Sequence, residues 1–306
     1  MASKNSDSLG WIFFPLALIW EWRKRMGFVG PATIIAILAL LSYAFHQYTT
    51  PHITHWPEYE LTADRWEVTQ KPSWIRRDVM REAIENGDLT HVSLLDPELT
   101  EKTSRAFVLC SWVKEVNRVE KRYPAKVRVD VTYRKPVAVV EVIDEATEKE
   151  GLACYFIDEA SVLLPRSDFS EVDLAHYPRI RIPGASRQGP PGAPWGDPRV
   201  EQAALIAGSI ANHFVDWGIE AIELVPASES DFRSKGPFLY RLVTRRGLKV
   251  DFGRAPGFED STEPTVGEKI RRLSDYKQRN GRLSELDAGL LIDLRHQDGI
   301  KQRPAL

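Results

Sequence analysis

The chain has 306 residues, room for two small domains, with 41 Lys and Arg against 43 Asp and Glu. A net charge of −2 excludes the broad basic field of a nucleic-acid binder, and 43% hydrophobic residues with nine Trp, nine Tyr and twelve Phe exclude a disordered chain. Two cysteines, Cys110 and Cys154, are too few for a disulfide framework and fit no zinc spacing; they read as buried free thiols, the alternative being a single bridge in an oxidising compartment.

Residues 1–25 contain an apolar run, Leu9 to Trp20, that is too short to span a bilayer and lacks a small-residue cleavage site. It reads as an interfacial helix, with a two-helix hairpin as the alternative. Met26 to Phe45 carries no charge and would measure roughly 30 Å as a helix at ~1.5 Å per residue, so the sequence predicts one transmembrane helix over 26–45. Gly27, Gly30 and Pro31 are tolerated in lipid, while Tyr43 and Tyr48 suit one interface and Trp20 and Trp22 the other. Arg23, Lys24 and Arg25 precede the run, and the next Lys or Arg is Arg65. By the positive-inside rule the N-terminus is cytoplasmic and everything after residue 50 lies across the membrane.

Residues 46–60 read as an extended linker with two prolines; its His52 and His55 have no thiol or carboxylate companions and form an interfacial pair, not a metal site. Residues 61–70 alternate as a strand. Residues 72–87 switch to helical spacing, with Trp74, Val79, Ala83 and Ile84 to one side, Ser73 as cap and Gly87 as stop. A second helix follows from Asp96, Pro97 and Glu98, burying Leu99, Thr103, Ala106, Phe107 and Cys110. In "KVRVDVTYRKP" the residues Val127, Val129, Val131 and Tyr133 alternate with polar ones, a half-buried strand; "VNRVEKRY" is its partner, with "RYPA" as the turn and an extra residue near Asn117 that fits a β-bulge. The order strand-helix-helix-strand-strand makes a small α+β unit.

Beyond Pro136, "VAVVEVID" and "CYFIDEASVLLP" are further strands. The Pro- and Gly-rich stretch 183–198 is a surface loop, and Asp197 caps a helix over 199–217 that begins at Pro198. "AIELVP", "FLYRLVTRRGLKVDFG" and "LLIDLR" add strands, with "RRG" as a hairpin turn, and Thr265 with Glu268 opens a last helix to about Arg279.

Candidate chemistry is sparse. Ser111 and Lys114 match S-x-x-K, but the S-D-N and K-T-G companions are missing. Ser209 lacks the second Gly of a nucleophile elbow, and Asp158 and Glu159 are adjacent on a strand and point to opposite faces. No phosphate-binding Gly-rich loop occurs. The expectation is no catalytic residue, no cofactor and no metal.

The order of these elements and their local wording resemble the bacterial cell-division family FtsQ/DivIB. The best match is "SWVKEVNRVEKRYPAKVRVDVTYRKPVA"; "YFIDEASVLLP", "YPRIRIPG", "GLKVDFGR", "EKIRRL" and "LLIDLRHQDGI" follow in the family's order. Ser111 stands where the family has Pro, and "DEASV" lacks its Gly. The resemblance implies an α+β fold with an N-terminal transmembrane helix, a POTRA domain (β-α-α-β-β) over 61–136 and a β-rich domain with flanking helices over 137–306. It further implies a non-enzymatic bitopic scaffold of the inner membrane at the division septum, with its C-terminal domains periplasmic. Partners would be FtsB/DivIC-like and FtsL-like proteins, the bilayer, and other divisome proteins through the POTRA unit, with no nucleic acid. The partner-binding stretch carried over from the family lies within 293–303: Arg295, His296, Asp298, Gly299, Ile300, Lys301, Gln302 and Arg303. Asp298-Gly299 would turn the chain, Ile300 to Arg303 would offer a sheet edge before Pro304, and Arg295 would pair either with a partner carboxylate or within its own chain. A POTRA-bearing translocation component and a membrane-tethered envelope enzyme are the alternatives.

Overall fold

The computed structural model describes residues 29–54, 56, 58–144, 151–225, 238–283, 286 and 289–304. The expected N-terminal cytoplasmic stretch and His55 lie outside the described residues. The first helix, α1, is Val29–Thr54. Among the described residues no helix is long and apolar enough to cross a membrane, which corrects the expected transmembrane helix. The described helix carries the uncharged run from Val29 to Phe45, roughly 25 Å at ~1.5 Å per residue against about 30 Å of bilayer hydrocarbon. It then continues through His46, Gln47 and Thr49 to Thr54, where a linker was expected. The described residues have an α+β fold with a large β-sheet.

The rest of the chain forms two sheets. The first has three strands in the order β1-β3-β2: β1 (Trp66–Val68), β2 (Val113–Arg122) and β3 (Lys126–Tyr133). Between β1 and β2 run α2 (Val79–Asn86) and α3 (Leu99–Val108). The expected strand over 61–70 shrinks to three residues because Ala63–Arg65 form a 3-10 turn. Helix α2 starts at Val79, later than expected, because Asp78 and not Ser73 accepts the Arg81 amide (3.1 Å). Gly87 closes α2, and a Cβ there would meet the Ala106 Cβ at 2.5 Å, so the glycine lets α2 and α3 meet. β2 and β3 pair antiparallel, with one register shift at the expected place, between Val116 and Arg118 across Asn117, and a second between Val113 and Glu115. The turn between them contains a cis Tyr123–Pro124 bond.

The second sheet has eight strands in the order β11-β10-β9-β8-β7-β6-β4-β5. They are β4 (Pro136–Asp144), β5 (Gly151–Asp158), β6 (Arg179–Arg181), β7 (Ile219–Leu224), β8 (Tyr240–Thr244), β9 (Lys249–Gly253), β10 (Leu290–Asp293) and β11 (Lys301–Pro304). One face is covered by α4 (Pro198–Ser209), α5 (Phe214–Trp217) and α6 (Val266–Asn280) over a core of Trp195, Trp217, Tyr240 and Phe252. Asp197 caps α4 through the Arg199 amide (2.9 Å), and Thr265 caps α6 through the Glu268 amide (3.4 Å). The single helix expected over 199–217 is split, with Ile210 as the C-cap of α4 and His213 as the N-cap of α5.

The two sheets are packed together. Val139, Phe156 and Leu164 of the larger unit belong to the core of the smaller one. Buried Asp168 accepts from the Trp112 indole (2.6 Å) and from Arg77 Nε (2.8 Å), and Arg134 pairs with buried Asp158 (2.7 Å).

Candidate functional site

The expected partner-binding residues form the loop and strand that close the large sheet. β11 pairs antiparallel with β10, and β10 pairs parallel with β9. The Leu294 amide donates to the carbonyl of Asp251 in β9 (3.0 Å), which fixes the phase of β10. Alternate residues of a strand address alternate neighbours, so Ile292 faces β9 while Leu291 and Asp293 face β11. Their partners Arg303 and Lys301 therefore exchange ladder hydrogen bonds, and Gln302, opposite Ile292, turns its N–H and C=O outwards. Pro304 shares the phase of Gln302, so its missing N–H falls on the outer side, where no ladder bond is lost. All four residues of β11 are exposed.

The loop before β11 is tied down from α6. Arg272 donates to the carbonyls of His296 (2.6 Å) and Gln297 (2.8 Å). Gly299 has φ +124°, a conformation suited to glycine, and Ile300 packs partly against the core. A second tie starts at Gly253, with φ +88°: a Cβ there would meet Glu263 Oε1 at 1.8 Å and Arg295 Cγ at 2.9 Å. Glu263 in turn holds the Nζ of Lys269, a lysine with no exposed surface, at 2.7 Å. Burial lowers the Lys269 pKa even with this partner and the Arg254 carbonyl (3.2 Å) beside it.

Of the two roles open to Arg295, the structure has the intramolecular one. Its Nε and NH2 reach both carboxylate oxygens of Asp293 (2.9 and 2.7 Å) and its NH2 lies 3.5 Å from Asp251. Burial would raise the Asp293 pKa, but the hydrogen bond and charge of Arg295 hold it below the usual carboxylate range. Arg303 NH2 reaches Asp251 Oδ2 (3.0 Å) while its side chain stays 54% exposed. His296 lies 3.5 Å from Asp293. Lys301 has no ion pair among the described residues.

These pairs belong to a longer pattern that inspection of single strands does not reveal. One register row crosses the sheet from Cys154 and Glu141 through Arg181, Glu223, Arg241, Asp251 and Asp293 to Lys301. All seven members from Glu141 to Lys301 are charged. Arg181 bridges Glu141 (2.7 Å) and Glu223 (3.5 Å), and Arg241 holds Asp251 (2.7 Å). Asp251 and Asp293 are neighbours and almost fully buried, so the arginines 241, 295 and 303 gather around them. The sequence shows each charge; the register that lines them up is tertiary.

The remaining candidate chemistry falls apart in space. Lys114 is bound by Glu159 (2.7 Å), whose hydrogen bond raises its pKa, the opposite of what a general base beside Ser111 requires. Ser209 Oγ donates to the Ile206 carbonyl within its own helix (2.7 Å). Asp158 accepts the amides of Ala160 and Val162 (3.0 and 2.8 Å) and shapes a turn. Cys110 is buried, its thiol pushed up to about 12 by burial; Cys154 is half-buried, and both are free. Among the described residues no group of three or more His, Cys, Asp or Glu could hold a metal ion. A cleft of about 320 Å³ between Leu174, Tyr177, Arg179, Phe214, Ile219 and Arg245 carries no nucleophile paired with a base.

No family model matches the chain. No curated protein matches it either.

Proposed function

We propose that this chain is a docking scaffold of the bacterial division machinery, of the FtsQ/DivIB kind, without catalysis of its own. It takes up a segment of an FtsB- or DivIC-like protein, itself paired with an FtsL-like one, as an added strand beside β11 at the division septum. The observation that carries the reading is the outward-facing peptide of Gln302 on an exposed border strand. The collinear sequence motifs supply the partner class. The ties from Arg272 and Gly253 supply the pre-organisation that a docking edge needs, since a strand held in place loses less freedom when a partner adds to it.

The test is co-purification of the full chain with the FtsB-like protein of the same organism, wild type against Gln302→Pro. Proline at 302 removes an outward donor and no ladder bond, so the fold persists and complex formation is lost. Undiminished binding by the variant refutes strand addition at β11, and absence of any complex with the intact chain refutes the scaffold.

A further inference from the structure

The charged row stops at β11 with its last member unpaired among the described residues. We infer that the strand added there is acidic on one face, with carboxylates at two positions separated by one residue, facing Lys301 and Arg303. This rests on the strand addition proposed above and deepens it by assigning the chemistry of the segment.

Three observations carry it. Lys301 lies opposite Asp293, and in a sheet a side chain shares its face with the residue directly across from it. Lys301 and Arg303 are two apart and so project to that same face. An incoming strand bonded to the Gln302 peptide would place its own residues beside Lys301 and Arg303 in the non-hydrogen-bonded class of pair when antiparallel, where side chains approach most closely. The local balance is positive: three arginines already satisfy the two buried aspartates, and Lys301 adds a fourth cation at the border. His296, on the neighbouring loop, lies 3.5 Å from Asp293. A carboxylate continues the row; a lysine or arginine there meets like charge.

The opposite face asks for something else. Gln302 opposes Ile292, and Ile300 is partly packed on the core nearby. The residue between the two acids falls on that side, so an apolar side chain fits it. The segment therefore has an acid-apolar-acid pattern. Few backbone groups of β11 face outwards, and Pro304 contributes only a carbonyl, so the hydrogen bonds alone select poorly. Charge is the term that distinguishes one segment from another.

Fluorescent peptides with Glu-Val-Glu, Gln-Val-Gln or Lys-Val-Lys at their centre, titrated against the full chain at low ionic strength, test this. The acidic peptide binds about tenfold tighter than the basic one, and added salt narrows the gap. Lys301→Glu, which breaks no ion pair or side-chain hydrogen bond among the described residues, removes most of that preference. Equal binding of all three peptides, abolished in every case by Gln302→Pro, overturns the acidic pattern and leaves strand addition standing. Binding of no peptide, or binding indifferent to Gln302→Pro, overturns both.

Discussion

β2 and β11 both border their sheets, and they are built in opposite ways. β2 is ten residues long, carries two register shifts, and is studded with Lys114, Arg118, Glu120, Lys121 and Arg122; Glu120 pairs with Arg118 (2.7 Å) and Arg122 (3.0 Å). Bulges twist a border out of plane and self-paired charges solvate it, the two usual defences against unwanted pairing. β11 is four residues long, regular in register, and braced from behind by α6 and the Gly253 corner. The lesson is that exposure alone does not mark a docking strand. What sets β11 apart from β2, and supports the proposed docking, is regularity, fixed position and an unpaired charge on the outer row.

Breaking the brace of β11 gives the largest effect. Glu263→Ala leaves Lys269 buried without its carboxylate, and the chain loses about 3 kcal/mol in urea unfolding. The joint between the two sheets comes next. Asp168→Ala strips the acceptor from Trp112 and Arg77 and costs about 2 kcal/mol by the same measurement. Arg272→Ala sharpens the comparison, because it frees only the loop. Global stability falls by about 1 kcal/mol or less. In hydrogen exchange the amides of Lys301 and Arg303 lose protection, while that of Gln302, facing outwards, exchanges freely before and after.

Acid acts on β11 through Asp293. The folded Asp293 has a depressed pKa, so its contribution is complete above the unfolded value of about 3.9 and is lost as pH falls through the folded value. Protection of Lys301 and Arg303 therefore decays below about pH 4 while β2, whose pairs are exposed, is unmoved. The smallest effect on stability belongs to β2. The pair of changes Arg118→Val and Glu120→Val shifts unfolding by about 0.5 kcal/mol or less, yet removes the border's charges, and the protein self-associates in sedimentation.

Much of this was legible in the sequence where the signal is local. The caps at Asp197 and Thr265, the Gly87 stop, the "RRG" turn and the irregularity at Asn117 are written in a few adjacent residues, and the structure has each of them. Signals that depend on context failed. Ser73 has the right chemistry for a cap, but Asp78 sits nearer the point where Val79 turns towards the core. The apolar stripe over 199–217 is continuous, and each half is buried, yet the helix is interrupted after Ser209 and resumes at Phe214, a break that periodicity does not register. Composition marks where charge is absent but not where a helix runs: the described helix carries on past Phe45 through His46, Gln47 and Thr49 to Thr54.

At the candidate site the limit was different. The eight residues 295, 296 and 298–303 could be singled out, and the structure brings them together around β11. Their division of labour could not be, because Arg295 belongs to Asp293, the outward amide belongs to Gln302, and Arg272 and Glu263 act from another element. None of those relations is local in sequence.

The position of Pro304 limits how far assembly can go. A border that accepted strands without end would seed a fibre, each newcomer offering its own free side to the next. With a ring in place of the outer donor, Pro304 leaves this border too few amides in a row to template such growth from its own side.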